Sequence, residues 1–189
     1  MQSPFNFIVK PEDGRRYSNT RKVGGIDLIV STSEEDASAS NRKGVVVEVP
    51  VGYTGPIKRG DTLLVHHNVF KFYNDIKGRR KSGKSFFRDD LFFVDPEQFF
   101  LYKSGGEWHA HDRYCFVKPM PMKKSLLSKP GSEEPLMGTM KYPNPYLLTQ
   151  GVRIGSAVSF TPHSEYAFEI EGEKLYRIYD HQITMSDGI

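Results

Sequence analysis

Residues 152–185 read VRIGSAVSFTPHSEYAFEIEGEKLYRIYDHQITM. Three short aromatic-aliphatic runs lie within this stretch, at 157–160 (AVSF), 166–170 (YAFEI) and 174–179 (KLYRIY), separated by Gly155, Pro162 and Glu171-Gly172. Runs of about 4–8 residues rich in aromatic and β-branched side chains, bounded by turn formers, read as strands. A helix would instead need apolar residues at a 3.6-residue period over roughly 11–18 positions. Pro and Gly interrupt most such windows here. The same texture extends outward: 5–9 stopped by Pro11, 44–49 (GVVVEV) stopped by Pro50, then 62–70 (TLLVHHNVF), 91–94, 99–102, 113–118 (RYCFVK) and 136–141. The expected fold class is all-β.

Composition agrees and narrows the options. Aromatics are 13% of the 189 residues while apolar residues are only 38%, a balance that favours strands and still supplies a core. The length fits one domain or two small ones. The lone Cys115 excludes a disulfide scaffold and any multi-cysteine metal site. No run of about 18 apolar residues predicts a membrane span. Residues 1–10 lack the basic-then-apolar pattern of a secretory signal. A cytoplasmic, reducing compartment is expected, with no membrane partner. The net charge of +3 is too small to mark a dedicated nucleic-acid binder, so such a partner is not expected.

Landmarks recur in the same order twice. Val9-Lys10-Pro11 returns as Val117-Lys118-Pro119. A glycine-bearing strand follows each, at 44–49 and 136–141. A basic residue and a turn glycine follow at Arg59-Gly60 and Arg153-Ile154-Gly155, and a hairpin ends at 99–102 and at 175–178. This order predicts two copies of one unit, about 1–104 and 112–189. Three polar segments are expected to be mobile: 14–43, 77–84 and 123–134.

At this point the chain resembles the GroES-type co-chaperonins, the ring-forming lids of chaperonins. Residues 152–185 are similar to the family's ending, with Gly155, Phe160, Tyr166, Glu171-Gly172-Glu173, 175–178 and 180–183 at its landmarks. Phe7-Ile8-Val9-Lys10, Gly44-Val45-Val46 and Lys58-Arg59-Gly60-Asp61 are similar to its start. The resemblance implies two tandem GroES-like, OB-like and partly open β-barrels. It also implies that the loop at 14–43 docks on a GroEL-type chaperonin through Gly24, Gly25, Ile26, Asp27, Leu28, Ile29 and Val30. ATP would be bound by the partner, and no cofactor by this chain. An apolar segment in a polar, low-complexity setting suits a ligand that orders on binding. A ring would multiply weak contacts into avid, releasable ones.

The sequence also departs from the family. Asp27 stands where an apolar residue is usual, which leaves the contact to Ile26 and Leu28. The 49–60 connection is short, 74–86 is an insertion, and the second copy offers only Leu126-Leu127 in its loop. Plastid co-chaperonins are tandem with a loop in both copies. One loop per chain favours a heptameric homo-oligomer to match a seven-fold partner. Such divergence suits a virus-encoded protein acting in an infected bacterial host.

Other residues suggest other chemistries. Glu107, His109, His111 and Asp112 could ligate zinc, but their place at a junction and the absence of a cysteine partner favour no metal. His66 and His67 would lie on opposite faces of a strand. Lys77, Arg79, Arg80, Lys81, Lys84 and Arg88, near Phe70, Phe72, Tyr73, Phe86 and Phe87, fit a single-strand-binding surface of OB type as well as a solvated loop, and the small net charge favours the loop. No G-x-S-x-G and no G-x-G-x-x-G is present, so no enzyme is expected. The alternatives to a co-chaperonin are a structural ring or adaptor of a virus particle that reuses the barrel, and an OB-like single-stranded nucleic-acid binder.

Overall fold

The computed structural model describes residues 2–17, 20–23, 26–29, 40–122 and 131–187, with the backbone alone for 20–23 and 26–29. The chain divides into two units, Met1–Glu107 and Trp108–Ile189. The first holds β1 (Phe7–Pro11), β2 (Thr20–Val23), β3 (Ile26–Ile29), β4 (Lys43–Glu48), β5 (Thr62–Val65), β6 (Phe72–Asn74), β7 (Arg80–Ser82), β8 (Phe86–Arg88), β9 (Leu91–Val94) and β10 (Phe99–Ser104). The boundary falls within β11 (Glu107–Ala110). The second unit holds β12 (Tyr114–Pro121), β13 (Glu133–Tyr142), α1 (Pro145–Thr149), β14 (Ala157–Phe160), β15 (Tyr166–Ile170), β16 (Glu173–Tyr179) and β17 (Ile183–Ser186). Among the described residues the fold is all-β apart from the short α1 and three 3-10 turns.

The large sheets run β11-β10-β5-β4-β1-β9-β8 and β15-β16-β12-β13-β14-β17. Leave out β11 and number the strands of each sheet by chain order. Both then read fourth, fifth, first, second, third, sixth. The registers match as well. Pro11 pairs with Gly44 as Pro119 pairs with Gly138, and each first strand carries a bulge at the same place, Ile8/Val9 and Phe116/Val117. Phe7 opposes Val94 as Cys115 opposes Ile178. Gly44 opposes Leu63 as Gly138 opposes Val158. Both third-to-sixth ladders slip by one residue, Val65 facing Phe99 and Phe160 facing Ile183.

The turns repeat too. Gly60 N–H donates to the Val46 carbonyl at 2.8 Å and Gly155 N–H to that of Met140 at 2.9 Å. Both glycines sit at φ near +90°, a region that costs other residues strain. Gln98 and Gln182 each accept, through Oε1, the backbone N–H three residues back, at 3.0 and 3.1 Å, fixing the 3-10 turn before the last strand. The order of landmarks in the sequence pairs 99–102 with 175–178. The registers instead place β10 opposite β17 in the comparison, and 175–178 beside β9.

Each sheet ends in two edge strands, β11 and β8 or β15 and β17, so among the described residues neither closes into a barrel. The expectation of all-β stands in the coarser form of two open antiparallel sheets. The expected strand at 62–70 ends at Val65, because Val69 N–H turns back to the His66 carbonyl at 3.0 Å.

Aromatic packing supplies much of the first core. Phe7 meets Phe99 edge-on at 5.6 Å and Phe70 meets Phe92 at 4.9 Å, all four fully or almost fully buried. Truncating a buried Phe of this kind costs about 3–5 kcal/mol. The second core gathers Cys115, Val117, Met140, Leu147, Val152, Val158, Phe160 and Ile178. Cys115 is therefore a packing residue, and burial pushes its thiol up to about 12.

Candidate functional site

The connection from β1 to β4, 12–42, is where the two units differ most; its counterpart is 122–132. Its two legs are tied together before and after the 18–39 excursion. Tyr17 and Ser40 form an antiparallel bridge, and Asn41 N–H donates to the Arg16 carbonyl at 2.9 Å. The buried Asn41 side chain works in both directions. Its Nδ2 donates to the carbonyls of Glu12 (3.0 Å) and Arg15 (2.8 Å), and its Oδ1 accepts Lys43 N–H at 2.9 Å. Ser40 Oγ donates to the His67 carbonyl at 3.1 Å.

The root is also held from the β5–β8 connection. Phe72 N–H donates to Tyr17 Oη at 2.9 Å, and Arg16 donates to Ser82 Oγ at 3.1 Å. The Arg16 guanidinium lies 4.1 Å from the Phe72 ring centre, 4.6 Å from Phe92 and 5.0 Å from Phe86. Burial lowers its pKa from the usual arginine value, Asp90 opposes that shift and the nearby Arg80 adds to it. A guanidinium keeps its charge in such a setting, and cation–π contact compensates lost hydration.

From this root the chain runs into β2 and β3, which among the described residues pair only with each other. Thr20 opposes Ile29, Arg21 opposes Leu28, Lys22 opposes Asp27 and Val23 opposes Ile26. Of the residues expected to dock, Ile26, Asp27, Leu28 and Ile29 form β3. Gly24, Gly25 and Val30 lie outside the described residues. The described residues of the run VGGIDLIV thus belong to this separate ladder and to no strand of the large sheet.

The other expected chemistries find these settings. Among the described residues no three His, Cys, Asp or Glu side chains gather at metal-binding spacing. His66 and His67 do not straddle a strand: both follow β5 in a turn, their ring centres 4.1 Å apart and their planes tilted by 34°. Burial pushes the His67 pKa down to about 4, with His66, Arg42 and Lys71 adding to the shift. Among the described residues no helix is long and apolar enough to cross a membrane. In the second unit Arg113 pairs with the buried Asp180 at 2.7 Å, and Asn144 Nδ2 donates to the same carboxylate at 3.0 Å.

Sequence reasoning missed Arg16, Tyr17 and Asn41. Their partners Ser82, Phe72 and Glu12 lie 66, 55 and 29 residues away, a distance no local pattern spans. No family model matches the chain, and no curated protein matches it.

Proposed function

We propose that the chain is a co-chaperonin with two GroES-like units, and that the β2–β3 hairpin docks on a GroEL-type chaperonin. The observation that carries the reading is the hairpin itself. An apolar strand, Ile26–Ile29, sits on a ladder separate from the large sheet and springs from a root closed by Asn41 and Tyr17. A free-standing two-stranded hairpin is only marginally stable in water, so a partner that covers β3 would supply much of its order. A fixed root limits how much freedom is lost on docking. The matching strand orders support the tandem arrangement, and the partly open barrel of the resemblance reduces here to a sheet that a ring neighbour would complete. ATP hydrolysis belongs to the partner.

The test is ATP-dependent co-sedimentation with a GroEL-type chaperonin. Wild-type protein should pellet with the chaperonin when ATP is present, and Ile26→Asp with Leu28→Asp should abolish this. Unchanged pelleting of the double variant removes the hairpin assignment. Failure of the wild type to pellet with its host's chaperonin removes the co-chaperonin reading. The native mass should correspond to a ring, with seven chains expected.

A further inference from the structure

We infer that the β6–β7 hairpin is a binding arm for single-stranded nucleic acid, independent of the docking hairpin. The arm lies in the connection between β5 and β8, 66–85; the equivalent connection in the second unit is 161–165. Residues 71–88 hold seven cations, Lys71, Lys77, Arg79, Arg80, Lys81, Lys84 and Arg88, against one carboxylate, Asp75. The chain as a whole carries only +3, so the small average conceals a local concentration of charge.

The register divides the arm into two faces. Phe72 opposes Ser82 and Asn74 opposes Arg80, while Tyr73 opposes Lys81. Side chains alternate along a strand, so Phe72, Ser82 and Arg80 share one face. That face is seated on the unit: Arg16 donates to Ser82 and stands over Phe72, and Arg80 covers the same ring at 3.7 Å. The other face carries Tyr73 and Lys81, continued by Lys71 and Arg79 at the strand ends. Tyr73 is 51% exposed, and Lys81 and Arg79 are exposed. Asp75 closes the tip by accepting the N–H groups of Lys77 and Arg79, both at 2.9 Å. It also pairs with Arg79 at 3.3 Å, which leaves that arginine with one acid neighbour and fixes its place. Among the described residues Lys71, Lys77, Lys81, Lys84 and Arg88 form no ion pair.

An exposed aromatic ring directly opposite a lysine, flanked along both strands by further cations, offers a base a stacking surface and its phosphates a charged track. This combination selects single strands, because duplex bases are not free to stack on a side chain. The occupant is thus a single-stranded nucleic acid rather than an acidic polypeptide, which has the charge and lacks the stacking bases.

The experiment is fluorescence anisotropy of the full chain with a labelled oligothymidylate of about 16 nucleotides, competed by the same length of duplex and by poly-glutamate. The oligothymidylate should bind with a salt slope reduced by about 0.7 for each contacting lysine replaced, as in Lys81→Gln. Tyr73→Ala should weaken binding about 5- to 150-fold without changing that slope. Both residues are exposed, and unchanged thermal melting identifies folded variants. Equal competition by poly-glutamate, an unaffected Tyr73→Ala, or no binding at low salt each overturns the inference. None of these outcomes bears on ATP-dependent pelleting, so the two proposals stand or fall separately.

Discussion

Replacing Asn41 by Ala removes three hydrogen bonds at the root of the 12–42 connection. Those bonds join the carbonyls of Glu12 and Arg15 on the outgoing leg to Lys43 N–H at the start of β4. A net contribution of about 0.5–1.5 kcal/mol per hydrogen bond sets the loss at about 1.5–4.5 kcal/mol. The lower part of that range is expected, since Glu12 is half-buried and Arg15 exposed, so water can reach both carbonyls once the amide is gone. With a urea dependence of about 2 kcal/mol per molar, the first unit's unfolding midpoint should drop by about 1 M. The loss should also be visible locally. Tryptic cleavage at Arg21 and Lys22 in β2 should accelerate in conditions where the sheets remain folded, because the legs are no longer joined. Asn41→Asp retains the acceptor for Lys43 N–H and turns a carboxylate toward two carbonyl oxygens. It should be at least as damaging as Ala at neutral pH and recover partly in acid, where a protonated carboxyl can donate. A wild-type midpoint together with a wild-type cleavage rate in Asn41→Ala would refute the assignment of Asn41 as the tie.

Two further outcomes follow from other parts of the molecule. A Cβ on Gly138 would stand 2.3 Å from Val117 Cγ1 and 2.6 Å from the Lys118 carbonyl oxygen, whereas on Gly44 the nearest atoms are side-chain tips of Val9 and Phe70 at 3.1 and 3.2 Å. Gly138→Ala should therefore cost about 1–3 kcal/mol. Gly44→Ala should cost less than about 1 kcal/mol, since the strain is offset by the smaller entropy Ala loses on folding; equal losses in urea unfolding would contradict the two geometries. His67 has a folded pKa of about 4, below the ordinary 6.5, so the unfolded state takes up its proton first as pH falls. The stability it contributes is complete above pH 6.5 and declines from there toward pH 4. Stability curves for wild type and His67→Phe should diverge in slope within that window, and parallel curves would show that the imbalance is absent.

The strand content was legible because the pattern is local. Short runs such as Val45 to Val47 and Leu175 to Ile178 carry their own evidence of pairing, and turn formers mark their ends. The short α1 was legible in principle, since Asn144-Pro145 is a cap followed by a first-turn proline, and Asn144 Oδ1 does accept Leu147 N–H at 2.8 Å. Strand equivalence was harder. Aromatic-aliphatic segments look alike, so 99–102 slid one strand along and met 175–178 rather than β17. Only the ladder pairs, with Gln98 and Gln182 in the same capping role, fix the correspondence. The root of the β2–β3 hairpin could not be read at all. It depends on a half-buried arginine beneath three rings supplied by β6, β8 and β9, and sequence order does not predict which side chains meet there.

The repeated ladders also make the second unit a natural acceptor for grafts. Val65 and Phe160 hold the same register position, and the connections that leave them rejoin their sheets at β8 and β15. Lengthening a surface connection adds only slowly to closure entropy. The 66–85 segment could therefore be transplanted between Phe160 and Tyr166, provided that an arginine and a tyrosine equivalent to Arg16 and Tyr17 travel with it. Such a chimera would separate the scaffold's tolerance for insertions from the seat that gives the inserted arm its direction.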